Sequence, residues 1–264
     1  MTRVLGVGDF VAWDGGCMLI GRAHYATGVH SHYAMQFSFG ENDGILFKAG
    51  EKADWVGYDG VVISSRQPHA MDASPVGMSA TMLIELETPA GRALEARFGE
   101  NGMSSIDRAT FAAQATNLFA TWRTHAAGNE TAEAGRRALA TVAGETTSLV
   151  VSDERILRAI AFINRSLAEP ITLDAVAKEA FLSATRFRHL FVEQTGTAFR
   201  PYVLWRRFLR AWSLVRDGAA LSTAAHEAGF ADAAHLTRTS QRMFGFAPSA
   251  LLVGQQPTGA RLGS

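Results

Sequence analysis

Cys17 is the only cysteine in this 264-residue chain. That excludes an intramolecular disulfide and a zinc site built from several thiolates. No uncharged apolar run reaches the roughly 18 residues that a membrane-spanning helix needs, and no basic segment followed by a short apolar stretch opens the chain as a secretory leader would. An excess of one charge is also missing, because 25 basic side chains balance 25 acidic ones. Apolar residues make up 47% of the composition, so sizeable cores can form and disorder is not the default. The expectation is a soluble protein of the reducing cytoplasm, with no membrane contact, long enough for about two domains.

The zero net charge hides an asymmetry. Residues 1–150 carry 11 basic and 16 acidic side chains, whereas residues 151–264 carry 14 basic and 9 acidic. A split of this kind suggests that the second half meets a polyanion. Its arginines cluster: Arg186, Arg188, Arg200, Arg206, Arg207, Arg210 and Arg216 fall in one stretch. Arginine suits phosphate through its planar fork of donors.

The texture of the chain also changes along its length. Val4–Trp13, Cys17–His24, His30–Phe39, Gly44–Lys48, Gly60–Ser64 and Met78–Glu87 read as short strands separated by turn clusters such as Asp14-Gly15-Gly16. Many short strands at close spacing predict a small barrel or sandwich over residues 1–98. From Ile106 the spacing becomes helical. Phe111, Ala115, Leu118 and Trp122, with Phe119 beside them, form a stripe that either packs on the barrel or pairs with a second chain. Thr131–Val142 is a second helical stretch, residues 144–152 read as a linker, and Asp153 opens another helix.

Within the second half one device is written twice. Leu173, Ala177, Glu179 and Ala180 recur as Leu221, Ala225, Glu227 and Ala228, and Gly196 recurs as Gly245. An offset of about 48 residues lies in the range of repeated structural units. Each copy reads as helix, turn, helix. In the first, Thr172 and Ser183 are N-caps. Phe187, Leu190 and Phe191 face inward, which leaves Thr185, Arg188 and His189 outward with Arg186 near the helix start. Arginine can grip a guanine edge in the major groove and threonine can meet a thymine methyl. In the second copy Asp232 caps, Leu236 packs, and Ala233, Ala234, Thr237 and Arg238 are the outward set. Ala220 lacks the capping hydroxyl of Thr172, and Ser240 stands where Phe191 stands, so a softer second unit is expected. The intervening stretch from Pro201 to Arg216 reads as a buried strut whose outer arginines can touch phosphate.

Taken together, Thr172-Leu173 to Val176-Ala177, Ser183 to Phe191, Thr195-Gly196, Arg206 to Ala211, Ala225 to Phe230, His235 to Arg238 and Phe244-Gly245 to Pro248 resemble the AraC/XylS family of bacterial transcription regulators. The resemblance covers residues 153–252. It implies an all-α DNA-binding domain of about seven helices that sets two recognition helices into adjacent major-groove segments. Thr185, Arg186, Arg188, His189, Ala233, Ala234, Thr237 and Arg238 would then face DNA. It also implies double-stranded promoter DNA, RNA polymerase and, through the linker helices, a possible homodimer as partners.

In the first half, alternation along Val29–Phe39 sets His30, His32 and Gln36 on one side of a strand and Tyr33, Met35, Phe37 and Phe39 on the other. His69 follows Pro68 at the end of a later strand, and His24 shares the parity of His30. This arrangement resembles the cupin barrel that many AraC-type regulators carry as a sensor, with glutamine where cupin metalloenzymes have a glutamate. Three readings stand side by side. The histidines bind a metal, they line an organic effector pocket, or they are satisfied inside a packed barrel. The missing carboxylate favours an effector pocket of His24, His30, His32, Gln36 and His69, with no metal and no cofactor assigned.

The expected fold class is therefore α+β multidomain. It comprises a cupin-like barrel (1–98), a helical linker (99–150), a C-terminal all-α domain with two helix-turn-helix motifs (151–255) and a tail (256–264). The function read from it is sequence-specific transcription regulation under a small-molecule effector, without catalysis. The alternative is a metal-dependent cupin enzyme fused to a DNA-binding module.

Overall fold

The structure, a computed structural model, describes residues 5–144 and 151–253. Residues 145–150 of the expected linker, all of the expected tail and Val4 of the first expected strand lie outside the described residues. A seven-stranded sheet dominates the first half. Its order is β10 (Leu251–Val253), β1 (Gly6–Trp13), β2 (Gly16–Ala23), β8 (Ser79–Ile84), β3 (Met35–Gly40), β6 (Gly60–Ile63) and β9 (Met103–Ile106). A smaller sheet has the order β5 (Val56–Tyr58), β4 (Ile45–Lys48) and β7 (Ala70–Asp72).

Every residue of β3, β6 and β8 is buried. A strand buried throughout must be covered on both faces, and the parity of the side chains shows by what. Met35, Phe37 and Phe39 of β3, with Met82 and Ile84 of β8 and Met18 of β2, point to one side. There they pack on α1 (Pro89–Phe98), α2 (Ala112–His125) and α3 (Asn129–Ala143). Phe111, Ala115, Leu118, Phe119 and Trp122 are all within 1% of fully buried in this core. The aromatic stripe is thus consumed inside one chain and is not presented to a second. Trp122 Nε1 donates to Asp9 Oδ2 at 2.7 Å, which ties α2 to β1.

The opposite face is divided. On the β3–β6 side, Val61 and Ile63 pack with Ile45, Phe47, Ala73 and Val76 under the smaller sheet. On the β1–β2–β8 side, Phe10, Cys17 and Leu83 pack instead against the C-terminal half. This is the physical reason that the expected closed barrel does not form. The large sheet remains open, ending at β10 and β9, and helices from the other half of the chain complete its cover. The boundary at residue 98 also falls inside the sheet-bearing unit, because β9 pairs antiparallel with β6.

The C-terminal half contains six α-helices among the described residues, not seven: α4 (Glu154–Arg165), α5 (Leu173–Glu179), α6 (Ala184–Thr195), α7 (Phe199–Arg216), α8 (Leu221–Glu227) and α9 (Ala233–Phe244). A 3₁₀ turn at Pro248–Ala250 follows. Asp153 caps α4, accepting from the Arg155 N–H at 2.9 Å. The long α7 serves two cores. Phe199, Tyr202 and Val203 close the first with α4, α5 and α6. Trp205, Phe208, Ala211 and Trp212 close the second with α8 and α9. It is a strut, as its aromatic content predicts.

Candidate effector pocket and nucleic-acid interface

The two helix-turn-helix units form with the caps read from the sequence. Thr172 Oγ1 accepts from the Ala175 N–H at 3.2 Å, Ser183 Oγ from Arg186 at 3.3 Å and Asp232 Oδ1 from His235 at 2.6 Å. Gly196 and Gly245 end α6 and α9 at φ of 71° and 73°, where a side chain is costly. Ala220 provides no side-chain cap to α8.

Phe187, Leu190 and Phe191 are buried, which turns Thr185, Arg186, Arg188 and His189 outward on α6, all four exposed. On α9, Leu236 is buried, Ala234 and Arg238 are exposed, and Ala233 and Thr237 are half-buried. The Thr237 hydroxyl donates back to the Ala233 carbonyl at 2.8 Å. The side chains of Arg186, Arg188 and Arg238 make no hydrogen bond or ion pair among the described residues and are available to a ligand. Ser240 does not leave a stranded hydroxyl, since its Oγ donates to the Phe246 carbonyl at 2.8 Å.

Arg206, Arg207 and Arg210 of α7 behave differently. Arg206 bonds Glu85 and Asn164, Arg207 bonds the Leu167 and Glu169 carbonyls, and Arg210 bonds the Glu227 carbonyl. Their donors hold the protein together and are not arrayed for phosphate. Three of the seven arginines in the basic run that suggested a polyanion are therefore structural.

On the sheet, Gln36 and Ser38 lie on the face away from α2, as their parity predicts. Gln36 Nε2 donates to Ser38 Oγ at 2.9 Å, and Ser38 donates to Thr81 Oγ1 at 3.0 Å. His30 and His32 lie on the segment leading into β3. His30 pairs backbone to backbone with His69, the residue before β7. The three imidazoles are buried, with ring centroids 4.3 Å apart for His30–His69 and 5.3 Å for His32–His69. Burial, then the neighbouring His32, pushes His30 down to about 3. Burial likewise lowers His32 and, with His30 and His32 beside it, carries His69 well below the usual imidazole value. His24 does not join them. It is exposed at the end of β2, and Tyr33 packs toward α7–α9, not beside Met35.

Of this cluster, His30 and His32, with Gln36, line the base of a cleft of about 710 Å³, part of it open to solvent. Its walls are Leu5, Val7, Leu19, Ile20, Met71 and Leu83, and Arg22, exposed, stands among the lining residues. The remaining wall comes from the other half of the chain: Phe244 at the end of α9 and Phe246 beyond it. Phe244 is also buried against Phe208 at 4.9 Å between centroids, inside the core of the second helix-turn-helix unit. No periodicity signals this role, because Phe244 reads simply as an inward residue of its own helix.

Two further contacts lock the halves together. Glu85, just after β8 and 4% exposed, accepts from Trp205 Nε1 at 3.0 Å and from Arg206 Nη1 at 2.8 and 2.9 Å. Glu87 lies close by. Burial, then the Glu85 charge, pushes its carboxyl up to about 7. At the other contact, Gly28 N–H donates to the Gly245 carbonyl at 2.9 Å. A Cβ on Gly245 would sit 2.2 Å from the Gly28 oxygen and 2.8 Å from His30 Nδ1. The glycine that caps α9 thus also permits the close approach of the histidine loop. Beyond it, Leu5 N–H donates to the Ala250 carbonyl at 2.6 Å, and β10 pairs in parallel with β1.

Residues 176–252 match the helix-turn-helix domain family. No curated protein matches the chain in sequence. Solved structures of ToxT from Vibrio cholerae share its whole architecture. One apo form is 11% identical, with a TM-score of 0.57 over 88% of this chain and 95% of that one. ToxT of strain O395 is 10% identical, with a TM-score of 0.55 over 90% and 96%. ToxT with a bound unsaturated fatty acid is 12% identical, with a TM-score of 0.51 over 89% and 92%. Residues 176–252, with the paired units, their caps and the connecting α7, are thus similar to a helix-turn-helix domain, and the chain as a whole shares its two-part fold with ToxT.

Proposed function

We propose that the chain regulates transcription by binding promoter DNA through α6 and α9, under control of a small molecule held in the cleft between its halves. The observation that carries this is the position of Phe244. One face of the helix end meets the cleft, and the same helix displays Ala234 and Arg238 outward. A ligand that packs better on one arrangement of Phe244 and Phe246 favours that arrangement of α9. The ligand class this cleft suits is a mainly apolar molecule with one polar end. The aliphatic walls would take its body, and Arg22 offers a cation for a carboxylate. ToxT has been solved with an unsaturated fatty acid, which makes that class the first probe. His30, His32, Gln36 and His69 belong to this site in our reading and His24 does not. The cleft ends on a DNA-reading helix, so a regulator is favoured over an enzyme. RNA polymerase and a second copy of the chain are the further partners this reading carries.

The test is to select DNA sites from a random pool with the full chain, then measure affinity at fixed salt with and without an unsaturated fatty acid. Salt must be fixed because phosphate contacts make affinity steeply salt-dependent. The expected result is an enriched sequence whose affinity changes several-fold with the ligand, and a smaller change in Phe246→Ala. No enriched sequence would refute DNA reading. Enrichment with no response to fatty acids or other amphiphiles would refute the sensing half.

A further inference from the structure

A helix leaves its last carbonyls without partners of its own. In α6 the Gly196 N–H donates to the Val192 carbonyl at 2.8 Å, but the last turn has no basic side chain and includes Glu193. The cation comes from α1. Arg92 Nη2 donates to the Gln194 carbonyl at 2.7 Å and to the Glu193 carbonyl at 3.3 Å. A guanidinium there satisfies orphan acceptors and opposes the negative end of the helix dipole. Glu95, one turn along α1, holds Arg92 Nη1 at 3.5 Å from its Oε2. Arg92 Nε is buried without an acceptor among the described residues. A buried donor left unpaired costs free energy, which the bonds to α6 and Glu95 offset.

At α9 the donors are backbone N–H groups of the segment before β3. Ser31 N–H donates to the Arg242 carbonyl at 3.2 Å and Gly28 N–H to the Gly245 carbonyl at 2.9 Å. The glycines that end the two helices are pressed in the same way. A Cβ on Gly196 would meet Leu86 at 3.3 Å and Arg92 Nη1 at 3.4 Å, as one on Gly245 would meet Gly28 and His30. Both helices therefore end against the sheet-bearing half, at two separate places. The second place lines the cleft through His30, whereas Leu86 and Arg92 do not line it. The shared α7 sets how far apart the two units stand, because each packs on a different part of it. A helix shared in this way resists bending but not small rotations of a unit about its own contacts. Two further points of attachment remove that freedom.

We infer that Arg92 is a positioning residue for DNA reading: together with residues 28–31 it clamps the carboxyl ends of α6 and α9 and so sets the angle between the two recognition helices. The inference rests on the DNA reading proposed above and adds what determines the spacing between the two base elements of the site. A ligand in the cleft bears on the α9 end of the clamp, while Arg92 keeps α6 as the fixed reference.

The test measures the affinity of the full chain, at fixed salt, for the selected site and for versions with one base pair added or removed between its two elements. One base pair turns the elements by about 35° and shifts them by about 3.4 Å relative to each other. The parent is expected to bind the altered spacings at least about tenfold more weakly, since one recognition helix then loses its bases. Arg92→Met should narrow that penalty to about threefold or less, and Arg92→Lys, which keeps a cation at the helix end, should restore most of it. An arginine with a merely structural role would weaken binding equally at every spacing when replaced. Equal weakening or an unchanged spacing penalty in Arg92→Met, or a parent indifferent to spacing, would overturn the inference and leave DNA reading intact. A parent that selects no site would overturn both. If Arg92→Met does not fold, Arg92→Gln, too short to reach both carbonyls, takes its place with the same expected outcome.

Discussion

Replacing Glu85 with alanine removes the acceptor of three hydrogen bonds at once: one from Trp205 Nε1 and two from Arg206 Nη1. The Glu85 side chain is 4% exposed and that of Arg206 23%. Breaking a buried ion pair from one side costs about 3–5 kcal/mol, because the remaining charge stays buried without its partner. Two features lower that figure. Arg206 reaches some solvent and keeps Asn164 Oδ1 at 3.0 Å. One feature raises it, since a buried indole N–H left without an acceptor costs about 1–3 kcal/mol. A loss near 3 kcal/mol is the balanced expectation. Chemical unfolding followed by tryptophan fluorescence measures it, and Arg206→Met with the double variant isolates the pair. The expected coupling is about 1–2 kcal/mol. A coupling below about 0.5 kcal/mol would refute the view that this contact ties the C-terminal half to the sheet.

Glu87 gives a pH dependence with a defined sign. Its folded value is pushed from the usual 4.5 up to about 7 by burial and by Glu85, with Tyr202 and Arg206 also facing it. A raised carboxyl stabilises fully below its unfolded value, and that stability is lost as pH climbs from about 4.5 through 7. Glu87→Gln should flatten stability across this window and gain about 2 kcal/mol at pH 8, read by denaturant melts at several pH values. In the turn of each helix-turn-helix unit one residue has positive φ: Phe181 at 53° and Gly229 at 80°. Phe181→Gly should raise the melting temperature, with about 1 kcal/mol of relieved backbone strain set against the lost stacking of Arg158. Gly229→Ala should instead lose more than about 2 kcal/mol, because its Cβ would lie 2.0 Å from the Leu167 carbonyl. Ala220→Ser should add about 1 kcal/mol by capping α8, visible as a shift in the denaturant midpoint.

Legibility in the sequence followed how local each signal was. Thr172, Ser183, Asp232, Gly196 and Gly245 act on neighbours in the chain, so their caps were readable, and α6 and α9 formed where expected. The alternation of Met35, Gln36, Phe37, Ser38 and Phe39 likewise gave the two faces of β3. Short β5, β7, β9 and β10 were not legible, since strands of three or four residues carry too few alternations to stand out. The helix at Pro89–Phe98 could have been found, because Thr88 before Pro89 is a cap followed by a residue suited to a first helical turn. Arg206, Arg207 and Arg210 of α7 are not legible for a different reason. Whether a guanidinium meets phosphate or a carbonyl 38 to 40 residues away depends on the fold, not on its own neighbours. Glu85, Phe244 and Phe246 matter through contacts between distant segments, and the open sheet is explained only by the helices that cover it.

The most direct test asks whether α6 and α9 read DNA as two separate heads. Binding of Arg188→Ala and Arg238→Ala is compared with the parent over every single-base variant of the selected site. The account predicts that each variant loses about 1–3 kcal/mol and relaxes preference at its own base pair, the two positions lying about one helical turn apart. Uniform weakening over all sequences in both variants, or relaxation at one shared position, would contradict it.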